Sequence, residues 1–116
     1  MKQVKQHRDF LQFLNLCTQQ QCNALVSTAT KDQVTAISCV CLNVLNGFFM
    51  LSEKDKKTLR RYRTRIHALA SKKTTQRDKR DLLKGKFLKT LLKIILPGIL
   101  STLDGKRDDH DSQVKV

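Results

Sequence analysis

The sequence predicts an all-α fold, a small bundle of about five helices followed by a disordered C-terminal tail. Three observations predict it. Apolar residues recur at three- and four-residue spacings through most of the 116-residue chain. Ser and Thr stand repeatedly at positions where a helix cap belongs. One Pro and four Gly leave little turn chemistry for hairpins, and aromatic residues, which favour strands, are few. Residues 1–103 form a single helical domain in this reading, with a nearly neutral half (1–52) and a basic half (53–103). Residues 104–116 form the tail.

The first helix is expected from about Gln3 to Leu16, carrying Phe10, Leu11, Phe13 and Leu14. Thr18 can cap a shorter second helix with Cys22, Leu25 and Val26 on its apolar side. Thr30-Lys31-Asp32-Gln33 reads as a capping box, with Thr at the cap and Gln three residues on. Val34, Ile37, Val40, Cys41, Val44 and Leu45 follow it, and Asn46-Gly47 supplies the stop. Phe48 to Leu51 is an apolar link whose paired Phe rings are expected to plug the core. Ser52 caps a fourth helix with acids in its first turn, which suit the positive end of the helix dipole. Leu59, Tyr62, Ile66 and Leu69 make one stripe along it. After the polar break at Ser71 to Thr75, Thr75 caps a last helix. Gly85 weakens that helix by about 1 kcal/mol relative to Ala and marks a bend, and Pro97-Gly98 kinks or stops it. From Asp104 the mixed charges show no apolar periodicity, the signature of disorder.

Charge is the strongest compositional signal. Lys and Arg total 23 against 10 Asp and Glu, a net charge of +13. The imbalance lies between Lys54 and Lys93, with 16 basic and three acidic residues. Such density concentrates phosphate polymers or anionic lipid around a protein, and it also repels further copies. Arg60-Arg61-Tyr62-Arg63-Thr64-Arg65 is the sharpest cluster, since guanidinium forks hold phosphate oxygens in pairs. With it we take Lys56, Lys57, Arg60, Arg61, Arg63, Arg65, Lys72, Lys73, Arg77, Lys79 and Arg80 as candidate phosphate partners. No Asn or Gln among them is placed to read adenine, so binding without strong sequence preference is expected. A solvated face that serves only solubility is the competing explanation.

Lys86 to Leu96 makes a second pattern. Lys86, Lys89 and Lys93 share one face, opposed by Leu88, Leu91, Leu92, Ile95 and Ile99, with Phe87 beside them. That stripe fits three roles: the last helix of the bundle or a homo-oligomer contact, a helix lying on an anionic membrane surface, or a helix seated in a partner's groove. Cys17, Cys22, Cys39 and Cys41 match no zinc spacing, and His7, His67 and His110 are scattered. Reduced thiols in an intracellular compartment are expected, since the chain opens on polar, charged residues rather than a secretory signal. No catalytic constellation, phosphate loop or cofactor motif is present, so the expected function is non-enzymatic.

Several phrases occur together in one order: Thr28-Ala29-Thr30-Lys31-Asp32-Gln33, Leu42-Asn43-Val44-Leu45-Asn46-Gly47, Leu59-Arg60-Arg61-Tyr62-Arg63, Leu69-Ala70-Ser71-Lys72, Lys79-Arg80-Asp81-Leu82-Leu83 and Gly85-Lys86-Phe87-Leu88. That order resembles the small basic open reading frames of Polinton/Maverick elements and adintoviruses, over roughly residues 8–103. Lys86 departs from the pattern, standing where those frames carry the second of two adjacent Gly. The resemblance implies a virion core-like protein that packages double-stranded DNA, located in the nucleus or the virion. A membrane-active protein using the last helix and a helical protein–protein adaptor are the alternatives from other classes.

Overall fold

The computed structural model describes residues 2–103 and contains helices but no strand among them. The helices are α1 (Lys2–Gln6), α2 (Arg8–Leu16), α3 (Gln19–Ser27), α4 (Lys31–Leu45), α5 (Glu53–Arg60), α6 (Arg63–Ala70), α7 (Gln76–Leu82) and α8 (Lys86–Leu103). The expected disordered tail lies outside the described residues.

The caps form where the sequence spells them. Thr18, Thr30, Ser52 and Thr75 have extended backbones, and each side chain accepts from the backbone N–H three residues on, at 3.1 Å. Gln21 and Gln33 return a bond to the backbone of Thr18 and Thr30, so both boxes are reciprocal. Gly47 ends α4 with φ of 74°, a left-handed conformation that favours Gly.

Eight helices replace the expected five because three expected helices are each broken once. The first breaks at His7, whose N–H reaches Val4 rather than the residue four back. The fourth breaks at Arg61-Tyr62 in the same way, with bonds to Thr58 and Leu59. This tightening sets the Tyr62 ring 5.2 Å from that of Phe87 at the start of α8. Neither break carries a Gly, Pro or capping residue, so tertiary packing has overridden local propensity.

The third break, at Gly85, has a local cause. Its φ is +92°, outside any helix, so it separates α7 from α8 instead of bending one helix. Both of its backbone groups are held by α3. Its N–H donates to Asn23 Oδ1 (3.1 Å), and its carbonyl accepts from Gln19 Nε2 (2.7 Å). Pro97 does not stop α8, which continues to Leu103. Pro97 lies on the exposed side with Lys93, where water can solvate the carbonyl it deprives of a partner, while Leu96 and Ile99 stay buried.

Both halves of the chain feed one core. Leu11, Leu14, Val26, Ile37 and Val40 meet Leu69, Phe87, Leu91, Leu92 and Ile95 in a single cluster. In it α4 packs on α1, α6 and α7, and α8 packs on α2. Phe49 is buried, edge-on to Phe48 at 5.2 Å, which makes it the expected plug.

Gly85 gives a test of opposite sign. A Cβ there would meet nothing within 4 Å, so only backbone strain opposes it. Gly85→Ala should destabilise by about 1–3 kcal/mol in chemical denaturation. A Gly inside a helix would instead gain about 1 kcal/mol from the same change, and that gain would overturn the break.

Candidate nucleic-acid interface

The candidate phosphate partners lie on α5, α6, α7, the break between α5 and α6, and the 71–75 link. α5 turns one residue, Leu59, fully inward, and α6 turns Ile66 and Leu69. The remaining circumference is left to charge. Lys57, Arg60, Arg61, Arg63, Arg65, Lys72, Lys73 and Arg77 are all exposed. None of them forms an ion pair with a described carboxylate. Lys56 is half-buried, with its ammonium 3.6 Å from Glu53.

Two of the eleven candidates turn inward, against expectation. Lys79 is buried and donates from Nζ to Ser38 Oγ on α4, at 3.1 Å. Arg80 spends Nε and Nη2 on the carbonyl of Ala29, at 3.1 and 2.9 Å, just past the end of α3. These bonds tie α7 to α4 and α3, so Lys79 is withdrawn from the surface and the half-buried Arg80 is engaged within the fold. On a seven-residue helix with Leu83 also facing the core, positions 79 and 80 necessarily point toward the body of the protein.

Other cations join the surface without having been among the expected phosphate partners. Lys54, Lys84, Lys86 and Lys93 are exposed, Lys84 with Asp81 at 3.7 Å. Arg65 lies 3.5 Å from the Lys84 carbonyl, and the Tyr62–Phe87 contact sets the first turn of α6 against that of α8. The cations of α6 therefore adjoin those of the α7–α8 turn. Lys86 and Lys93 also line a cleft of about 400 Å³ with Lys89, Asn15, Gln19 and Thr90. The charge density between Lys54 and Lys93 is the sequence signal for these residues; the place of Lys86 and Lys93 on an amphipathic stripe points instead to the apolar face opposite them.

The apolar half of that stripe is covered. Phe87, Leu88, Leu91, Leu92, Ile95 and Ile99 are each at most 1% exposed and sit in the core. The docked alternative holds for α8 in this structure, and the face drawn for a membrane or a partner groove is occupied by the protein itself. No helix among the described residues is long and apolar enough to cross a membrane.

Cys17, Cys22 and Cys41 are buried thiols, and Cys39 is half-buried. Burial pushes the Cys41 thiol up to about 12 despite the nearby Lys79 ammonium, and burial likewise raises Cys22. Both stay protonated and weakly nucleophilic at neutral pH. Among the described residues no three His, Cys, Asp or Glu gather to hold a metal. No protein-family model, curated protein or solved structure matches the chain.

The Lys79–Ser38 bond separates a structural cation from a surface one. Ser38→Ala leaves a buried ammonium without its hydroxyl and should lower stability by about 1–3 kcal/mol. Changing Ser38→Ala and Lys79→Met together removes both partners while roughly keeping the volume, and should recover most of that loss. Thermal and denaturant melts of both variants check this; a Ser38→Ala protein as stable as the parent would remove Lys79 from the structural set.

Proposed function

We propose that this protein is a non-enzymatic, sequence-nonspecific DNA-binding protein of the genome-packaging, virion core-like kind. One observation carries the reading: eight exposed cations on α5 to α7 have no described carboxylate to neutralise them. Four of these are Arg residues within six positions, so several phosphates can be engaged from two short helices. Binding would proceed by displacing the counterions that surround a nucleic acid backbone. The side chains on this surface offer charge rather than base-reading amides, which supports positioning on the backbone over sequence readout. The resemblance to the basic reading frames of Polinton/Maverick elements and adintoviruses points the same way. In this reading the nearly neutral half is the platform that holds the basic helices, with the apolar face of α8 buried against it.

Affinity for duplex DNA should fall about 10³–10⁵-fold between 50 and 200 mM salt if 6–10 phosphates are neutralised. Scrambled duplexes should bind about equally. Changing Arg60, Arg61, Arg63 and Arg65 together to Gln should leave helicity intact, weaken binding on every duplex, and flatten the salt slope by roughly 0.9 for each phosphate no longer neutralised. Fluorescence anisotropy across a salt series measures affinity and slope, and circular dichroism the helicity. A flat salt response in the parent protein, or no binding at low salt, would overturn the proposal.

A further inference from the structure

Between the end of α4, the link after it, α5 and α6 lies an open cavity of about 410 Å³. That volume falls in the range of roughly 300–1,000 Å³ in which small-molecule sites occur. Its lining divides by chemistry. Val44, Leu45 and Leu51 are half-buried and face it, with Phe49, Leu59 and Ile66 packed behind them in the core. Arg60 and Arg63 border the same space from the exposed surface, with Lys56 beside them. No carboxylate lines it.

A phosphate backbone can use the two guanidinium groups but gains nothing from an aliphatic wall. A nucleobase would need a broad aromatic face to stack on; of the rings in the lining, Phe49 is only 5% exposed and the other is the small imidazole of His67 on the exposed side. An alkyl chain has the opposite requirements, since it is held by burying methylenes against aliphatic side chains. An anionic head on that chain would meet Arg60 and Arg63, whose planar forks match a carboxylate in a paired geometry. We propose that this cavity binds a single-chain anionic amphiphile, with its carboxylate on Arg60 and Arg63 and its chain along Val44, Leu45 and Leu51. The site goes beyond the DNA-binding reading but shares these two Arg with it, so an occupied cavity and a DNA backbone compete for them.

The test is calorimetric titration of the full chain with alkyl carboxylates below their micelle concentrations, with decanoate as the main probe. Saturable one-to-one binding is expected. Affinity should rise roughly fourfold per methylene from hexanoate upward, until the cavity is filled. Decyltrimethylammonium, with the same chain and the opposite charge, should bind at least about tenfold more weakly, since it cannot pair with either guanidinium. The Arg60→Gln/Arg63→Gln protein should bind decanoate more weakly by a similar factor, as should Leu51→Ser, while Lys31→Gln on α4 should match the parent. Helicity measured on each variant separates loss of the site from loss of the fold. Non-saturating uptake, equal binding of the cationic analogue, or indifference to both the Arg pair and Leu51 would each overturn the proposal. Duplex binding measured without amphiphile reports on the DNA reading alone, so the two can fail separately.

Discussion

Helix ends that stop inside a protein leave carbonyls that must find donors. In this chain, donors for two such ends come from the basic half. Lys89 on α8 reaches the end of α2, donating to the carbonyls of Asn15 (3.0 Å) and Cys17, with that of Leu14 at 3.5 Å. Arg80 on α7 closes on Ala29 past the end of α3. A cation at a helix C-terminus also meets the negative end of the dipole, an interaction worth up to about 2 kcal/mol when partly buried. The Gly85 turn between these two donors is held in return by Gln19 and Asn23 of α3. The basic helices are thus joined to the neutral ones by polar contacts as well as by the apolar core. The rest of the basic half can then spend its charge on the outside.

That division of labour explains how a chain with so much positive charge folds at all. Sixteen cations between Lys54 and Lys93 repel one another. Lys79, Arg80 and Lys89 escape part of that field by facing hydroxyl or carbonyl oxygens within the protein. Most of those on α5, α6 and the 71–75 link face solvent, where water and salt screen them. A bound polyanion would relieve the repulsion further, so the proposed binding and the stability of the fold pull in the same direction. The cavity proposed for an amphiphile lies where this cationic surface meets the half-buried end of α4, which is why its lining combines both chemistries.

Local chemistry was legible in the sequence, and non-local partnership was not. Thr18, Thr30, Ser52 and Thr75 announce their helices because a cap needs only residues within three positions of one another. Gly47 announces a stop for the same reason. The breaks at His7 and Tyr62 leave no such mark; the second brings Tyr62 to a ring 25 positions away. Gly85 was visible as a weak point, but its full turn depends on two amides more than 60 residues back. The same limit governs the candidate site. Exposed Arg60, Arg61, Arg63 and Arg65 follow from the spacing of Leu59, Ile66 and Leu69. That Lys79 and Arg80 share the face of Leu83 is a spacing on α7, but that Ser38 and the Ala29 carbonyl await them there depends on where α3 and α4 come to lie.

Lys89 and Lys93 put the central claim to its most direct test. They sit one turn apart on α8, carry the same charge, and differ in that Lys89 holds the end of α2 while Lys93 is exposed. Melting temperature and duplex affinity should be measured for Lys89→Gln and Lys93→Gln side by side. The division of cations predicts a lowered melting temperature for Lys89→Gln with little change in affinity while folded. For Lys93→Gln it predicts an unmoved melt and weaker, less salt-dependent binding. Equal effects of the two changes on both measurements would contradict it.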